Sequence, residues 1–141
     1  MVSFQCENIE MPDIDIKKIC RWLTAVASGY DRIIGNLSYL FCDDEYILHA
    51  NREFLGHDYY TDVITFDYTG GNRVGGDVMI SVDTVRSNAE MFGVDSKEEL
   101  HRVIVHGLLH LCGLKDKNPE EREEMESAEN KALAMLTEDE I

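Results

Sequence analysis

The chain has no long hydrophobic run and few basic residues. No segment approaches the roughly 20 apolar residues that a membrane-spanning helix needs, and the N-terminus has no basic segment leading into an apolar one, as a secretory signal has. We therefore expect a cytoplasmic protein with no membrane partner. Lys and Arg number 13 against 28 Asp and Glu, which gives a formal net charge of −15. This balance argues against strong autonomous affinity for nucleic acid, because surfaces that bind phosphates are normally rich in Lys and Arg.

The sequence also has no paired cysteines and no linker. Cys-x-x-Cys spacing, repeats and stretches rich in Pro, Gly or Ser are all absent. A length of 141 residues fits one domain with a substantial core, so we predict a single domain over residues 1–141. Isolated cysteines beside apolar residues are typical of reduced, buried thiols. The chain has four of them, at Cys6, Cys20, Cys42 and Cys112.

Helical and strand patterns follow one another irregularly along the chain. Alternating and β-branched residues predict strands over residues 2–7, 36–42, 61–68 and 75–82, and the last two form a hairpin. Apolar spacing predicts helices over residues 13–28, from 43 or 44 to 54, from 81 or 83 to 92, over 97–112 and from 118 onward. Asp13 is the predicted N-cap of the first helix, and Ser96 begins a capping box for the fourth. This order predicts an α+β fold, with a small mixed four-stranded sheet packed with about five helices.

The most informative motif is a pair of histidines, His106 and His110, at helical spacing. Residues four apart project from the same helix face, so two imidazoles there can bind one metal ion. Gly113 favours a helix end, and Asp116 beyond it can supply a third ligand. A bare His-x-x-x-His is more often a pair of satisfied core histidines, but glycine and aspartate at these positions favour the metal. We predict a metal site of His106, His110 and Asp116 at the end of a central helix.

Gly107 follows the first histidine, where peptidases of the His-Glu-x-x-His type carry their general base. A peptidase is therefore the weaker interpretation. Glycine inside a helix costs about 1 kcal/mol relative to alanine, so we expect the substrate or a neighbouring strand to exclude a side chain here. A zinc ion with three protein ligands lowers the pKa of its bound water to about 7. This chemistry predicts metal-assisted hydrolysis, in which a metal-bound water attacks or the metal stabilises a reacting oxygen.

Three blocks of the sequence resemble the YbeY family, the bacterial rRNA maturation endoribonucleases. The metal motif is similar to the family's His-Gly-x-x-His-Leu-x-Gly-Tyr-Asp-His at His106, Gly107, His110, Leu111 and Gly113. Residues 51–66 resemble the block that ends in Thr-Asp-Val-Leu-Ser-Phe, and residues 76–81 resemble the strand Gly-Asp-Ile-x-Ile-Ser. The resemblance implies an α+β fold with a small mixed sheet, one zinc ion, and action on single-stranded RNA near the 3′ end of the small-subunit rRNA.

The sequence departs from the family pattern around both matched motifs. Asp116 stands where the family usually has its third histidine, and Leu114 and Lys115 replace the tyrosine and aspartate before it. Upstream, the usual arginine, lysine and proline are replaced by Leu55, His57 and Tyr60. The lost arginine matters most, because a fixed guanidinium is suited to bidentate phosphate contact.

Other side chains are candidates for the missing RNA contacts. Arg52 shares a predicted helix face with Leu55, Arg73 lies in the hairpin turn, and Lys115 precedes the proposed ligand. His57 is a candidate catalytic residue, since a neutral imidazole can shuttle a proton. In the matched blocks, Asp62 and Asp77 either orient a metal ligand or have a structural role, and for Asp62 capping of a turn is slightly favoured.

Three functions are compatible with these patterns. The leading hypothesis is a zinc-dependent, single-strand-specific endoribonuclease of rRNA maturation and ribosome biogenesis, working with the small ribosomal subunit or its proteins. The alternative is a ribosome-associated assembly factor with a structural metal and little catalysis, which the net charge of −15 and the absent arginine favour. A metallohydrolase of peptides or small molecules comes third, because Gly107 stands where a peptidase has its base.

Overall fold

The computed structural model describes residues 1–56 and 61–137, and within these ranges it has four strands and five helices. The strands are β1 (Val2–Cys6), β2 (Ile33–Cys42), β3 (Val63–Asp67) and β4 (Arg73–Ser81). The helices are α1 (Ile16–Ser28), α2 (Asp44–Leu55), α3 (Val82–Phe92), α4 (Ser96–Leu111) and α5 (Pro119–Thr137). The predicted α+β class is confirmed. Over the two described ranges, no helix is long and apolar enough to cross a membrane.

The four strands form one mixed sheet in the order β1-β2-β4-β3. β2 runs parallel to both β1 and β4, whereas β3 and β4 form the predicted antiparallel hairpin. β2 begins earlier than predicted, because Ile33 and Ile34 extend its pairing with the start of β4. The order leaves β3 at an edge of the sheet, where it borders the site described below.

The helix α4 lies at the centre of the fold. It packs against α1, α3 and α5 and against strands β3 and β4. The buried Tyr39 hydroxyl of β2 donates a hydrogen bond of 2.8 Å to the Ile104 carbonyl oxygen, which ties the helix to the sheet. A Cβ atom added to Gly107 would lie 2.8 Å from Cγ1 of Val78 on β4. The neighbouring strand is therefore what excludes a side chain from this position.

Two helix starts differ from those predicted. Asp13 lies in a turn closed by the Ile14 N–H and the Pro12 carbonyl, so Asp15 caps α1 instead, and its carboxylate accepts from the Lys18 N–H. The predicted capping box is also wrong. Asp95 occupies the N-cap of α4 because its carbonyl accepts from Glu99, and its side chain makes no capping hydrogen bond.

The four cysteines are free thiols, all within the described ranges. Cys42 and Cys112 are buried, as predicted, whereas Cys6 and Cys20 are only partly buried. Burial raises the pKa of the Cys112 thiol, and burial together with the nearby aspartates raises that of Cys42 to about 12. Cys112 belongs to the hydrophobic core, which confirms a packing role for it despite its place in the metal motif.

Candidate metal centre

One face of α4 carries the polar side chains of the candidate site. Glu99, Arg102, His106 and His110 follow one another at spacings of three or four residues, so they line the same side of the helix. The two imidazole rings are half-buried, with centroids 4.7 Å apart and planes nearly perpendicular at 89°. The other faces of α4 are packed in the core, so the helix presents both histidines from a fixed position.

The turn after α4 brings the third side chain to the two histidines. Gly113 has φ +103°, a conformation that L side chains rarely adopt, and this confirms the predicted helix stop. The N–H groups of Gly113 and Leu114 donate back to the carbonyls of His110 and Leu109, which closes the turn. The chain then reverses and places the Asp116 carboxylate against the imidazoles.

The three predicted ligands converge on one point. Asp116 Oδ2 lies 3.5 Å from His106 Nε2 and 3.3 Å from His110 Nε2, and all three ligand atoms lie within 4.8 Å of one another. These distances exceed the roughly 2.7–2.9 Å of a charge-assisted hydrogen bond. The two imidazole nitrogens and the carboxylate oxygen therefore surround a shared space and are not joined by short hydrogen bonds. Two imidazole nitrogens and a carboxylate oxygen are donors that suit zinc, so the residues present could hold a metal ion.

The outer nitrogen of each imidazole has its own hydrogen-bond acceptor. His106 Nδ1 lies 2.6 Å from Glu129 Oε2, and His110 Nδ1 lies 3.0 Å from the Leu114 carbonyl oxygen. An acceptor at Nδ1 favours the tautomer that carries its proton there. Each Nε2 then directs a lone pair toward Asp116, which is how metal-binding histidines are commonly oriented.

The electrostatics of the site favour positive charge at His106. Burial alone would lower the pKa of this imidazole, but its hydrogen bond to Glu129 and the negative charges of Glu129, Asp116 and Asp62 outweigh burial and raise the pKa. A proton and a metal ion compete for the same nitrogen lone pair. The field that stabilises an imidazolium at this position also stabilises a bound cation.

The histidines open into a cleft of about 620 Å³ between α4, α5 and the edge strand β3. Its polar lining is mainly acidic and includes Asp62, Asp67, Glu99, Asp116 and Glu129. Burial raises the pKa of Asp62 and of Glu99, so both carboxyls hold a proton more readily than an exposed carboxyl does. A concave, water-accessible cleft with perturbed carboxyls beside a potential metal site has the features of an active site.

The model of one protein family, described as endoribonuclease YbeY, matches residues 1–137 of the chain. The chain belongs to the endoribonuclease YbeY family. This confirms the resemblance found in the three sequence blocks. It extends the match beyond those blocks to nearly the whole chain.

Curated relatives of the YbeY family support the assignment over nearly their full lengths. The endoribonuclease YbeY of Bacteroides fragilis is 57% identical over 134 residues, which cover 95% of this chain and 96% of the relative. That of Phocaeicola vulgatus is 56% identical, covering 97% and 99%. A solution structure, that of TM1509 from Thermotoga maritima, superposes with a TM-score of 0.73 over 99% of this chain and 91% of that one. At 24% identity, this structure shows a shared fold alone.

The other sequence-predicted site residues lie in different places. Arg52 is exposed on α2, Arg73 begins β4 and Lys115 is exposed in the turn after α4. Among the described residues that line the cleft, none of these three appears. The role of these three residues in contacting RNA, outside the cleft, stays a prediction. His57 lies outside the described residues.

The matched YbeY blocks also contain Asp62 and Asp77, which the structure separates. Asp62 lines the cleft, where burial raises the pKa of its carboxyl. Asp77 lies in a groove on the other face of the sheet with Phe54 and Phe66. Of the two predicted roles, this position excludes the orientation of a metal ligand and leaves the structural one.

Sequence reasoning missed Glu99, Arg102 and Glu129 as residues of the site. The first two share the helix face of His106, so the spacing that found the histidines could also have found them. Glu129 gave no such signal, because it is one of several acidic residues on α5 and lies far from the motif in sequence.

Proposed function

We propose that this protein is a zinc-dependent endoribonuclease that cleaves single-stranded RNA during rRNA maturation. The observation that carries the proposal is the convergence of His106, His110 and Asp116 in an open cleft. It occurs in a chain of the family whose curated members are named endoribonuclease YbeY. The rRNA substrate, the small ribosomal subunit as partner, cytoplasmic location and a single-domain organisation over residues 1–141 remain part of the proposal.

His106, His110 and Asp116 would hold the zinc ion in this proposal. When bound, a zinc ion supplies Lewis acidity, which acidifies water and stabilises negative charge on phosphate oxygens. The protein residues orient the site. The Nδ1 hydrogen bonds of the two histidines fix their Nε2 lone pairs, and the post-helix turn fixes the aspartate.

Proton transfer in the cleft is assigned to carboxyl groups that do not hold the metal. Asp62 and Glu99 both line the cleft, and burial raises the pKa of each. A carboxyl with a raised pKa accepts and returns a proton more effectively near neutral pH than an ordinary one. His57 remains the other candidate for this role on sequence grounds.

The proposal is tested by replacing His106 with alanine and measuring cleavage of a single-stranded RNA with and without added zinc. We expect cleavage and stoichiometric zinc binding both to be lost. The matched control is His49→Ala, which removes an imidazole that is 78% exposed on α2 and paired with Glu53. Cleavage by His106→Ala at the wild-type rate would refute the proposal.

A second function is favoured by the acidic character of the cleft. Arg102, a cation among its lining residues, is bound to Glu129 and Asn130. This arrangement would suit a ribosome-associated assembly factor whose metal is structural and whose partner supplies the RNA contacts. Purified wild-type protein that binds zinc and comigrates with the small ribosomal subunit, yet leaves RNA uncut, would select this function.

A further inference from the structure

Glu129 is a buried carboxylate whose two oxygens serve different partners. The residue is 8% exposed on α5. Its Oε2 lies 2.6 Å from Nδ1 of His106, and its Oε1 accepts a hydrogen bond of 2.8 Å from Nη1 of Arg102. A buried carboxylate is costly unless hydrogen bonds and opposite charge compensate for it. Here both compensations come from residues on α4.

We propose that Glu129 is a positioning residue for metal binding, which holds His106 in the tautomer that directs its Nε2 lone pair at the metal. Arg102 in turn holds Glu129. The inference deepens the proposed function and rests on it, because it takes His106 as a metal ligand. The chain of contacts runs from Arg102 through Glu129 to His106, and so from the α4–α5 interface to the site.

The two histidines of the site differ in what holds them. His110 Nδ1 lies 3.0 Å from the Leu114 carbonyl oxygen, a neutral backbone acceptor that the turn after α4 supplies. His106 has a charged acceptor from a separate helix. A carboxylate makes the imidazole a stronger electron donor than a carbonyl does, and it also brings negative charge close to the bound cation. His106 is therefore the histidine whose ligand strength depends on a side chain elsewhere.

The Arg102 guanidinium is held at both of its Nη nitrogens. Its Nη1 donates to Glu129 and its Nη2 donates 2.7 Å to Oδ1 of Asn130, the next residue on α5. This two-pronged contact fixes the planar guanidinium, and it sets the position of the carboxylate that it binds. In this arrangement Arg102 acts on the site through Glu129.

The first test compares zinc affinity in Glu129→Gln and wild type by competition with a chromophoric chelator. Glutamine keeps the size of the side chain but removes the charge, and we expect a roughly 10- to 100-fold weaker zinc affinity. The matched control is Glu123→Gln, which removes the same charge from an exposed position on the same helix. We expect this control to bind zinc as wild type does.

The second test uses the metal-free protein, with nitrogen-15 NMR of the imidazoles at alkaline pH, where both rings are neutral. In wild type we expect both rings to carry the proton on Nδ1. In Glu129→Gln, His106 gains the opposite tautomer, because the glutamine amide can turn its NH₂ group toward Nδ1. His110 is the internal control and stays unchanged, since Leu114 still holds it.

The outcomes separate this inference from the proposed function. An unchanged zinc affinity or an unchanged His106 tautomer in Glu129→Gln would overturn the inference, even if the wild type cuts RNA. If the wild type leaves RNA uncut, the proposed function fails. If Glu129→Gln nevertheless weakens zinc affinity and changes the His106 tautomer, the inference is supported. Arg102→Met is expected to weaken zinc binding less than Glu129→Gln does. A larger loss in Arg102→Met would contradict the proposed order of contacts, in which Arg102 acts through Glu129 on His106.

Discussion

Asp116 gives the site an anionic oxygen ligand where a third neutral histidine is the family's usual choice. The carboxylate reduces the net positive charge of the occupied site, and the acidic residues around it reduce that charge further. A cleft of this charge would favour a bound metal ion, at the expense of the acidity of a water on that ion. Substitution of Asp116 separates its own contribution from that of the surrounding acidic residues.

We expect Asp116→Asn to weaken zinc affinity by at least about 10-fold, because an amide oxygen is a neutral and poorer zinc ligand. Asp116→His should retain zinc, since it replaces one competent ligand by another. Chelator competition measures both. The control is Asp67→Asn, which removes a charge from the same cleft at an exposed residue outside the cluster of three. Equal affinities in Asp116→Asn and Asp67→Asn would show that Asp116 is not a ligand.

Gly107→Ala is expected to destabilise the fold although alanine is the better helix former. Alanine gains about 1 kcal/mol of helix propensity over glycine. Its Cβ, however, would lie 2.8 Å from Val78 Cγ1, and overpacking of this kind costs about 1–3 kcal/mol. Urea unfolding of the metal-free protein measures the balance. The double variant Gly107→Ala with Val78→Ala removes the clash, so Gly107→Ala should then be less costly. A stability gain in the single variant would contradict the structure.

The predictable part of the site is the part encoded locally. His106 and His110 share a helix face, and Gly113 and Asp116 belong to one turn, so local spacing brings the side chains of His106, His110 and Asp116 together. Glu129 comes from another helix through tertiary packing, and nothing in its neighbourhood distinguishes it from the exposed acids of α5. Sequence patterns identify the candidate ligands, but not the partners that orient them.

Among the elements, α4 is the one that joins the core to the site, and its buried faces also bear on stability. On the side facing α1, the His101 ring lies edge to face with Trp22 at 6.0 Å between centroids. The indole Nε1 of Trp22 donates 2.7 Å to the Ala132 carbonyl oxygen of α5. Helices α1, α4 and α5 thus meet at the single tryptophan of the chain.

His101 is expected to make the fold less stable as the pH falls. Burial lowers its pKa from the ordinary 6.5, and the charges of Lys97 and Lys18 act in the same direction. The unfolded chain therefore binds a proton that the folded chain resists, and stability is lost as the pH drops below 6.5 toward the lowered pKa. His101→Gln should show a smaller loss between neutral and acidic pH. Urea unfolding without metal, with His49→Gln as the exposed control, measures it. Parallel pH profiles of wild type and His101→Gln would contradict the prediction.

The helices and strands were mostly predictable from the sequence, but the first residues of α1 and α4 were not. Apolar periodicity found the helices and strands because each buries a face, which leaves a regular pattern. The N-caps of α1 and α4 were misplaced because several acidic or hydroxyl residues precede each helix, and the choice among them depends on the preceding turn. In α1 a turn at Pro12 and Ile14 moves the cap to Asp15.

At the scale of the whole molecule, the net charge of −15 weakens the affinity of the protein for RNA. A chain with 28 acidic and 13 basic residues repels a polyanion at long range. Attraction would come from a bound metal ion and from scattered cations such as Arg52, Arg73 and Lys115. Binding of RNA by the protein alone is therefore expected to rest on few phosphate contacts, and a basic partner on the small ribosomal subunit would strengthen it.

The salt dependence of RNA binding measures the number of those contacts. For single-stranded nucleic acid, the logarithm of the binding constant falls with the logarithm of the salt concentration, with a slope of roughly −0.7 per phosphate neutralised. With one to three contacts, we expect a slope of about −1 to −2 for zinc-loaded protein on an uncleavable 2′-O-methyl RNA. Fluorescence anisotropy over a salt series gives the value, and the triple variant of Arg52, Arg73 and Lys115 to glutamine should make it shallower. A slope of roughly −5 would instead require a strongly basic surface, which the described residues of the cleft do not provide.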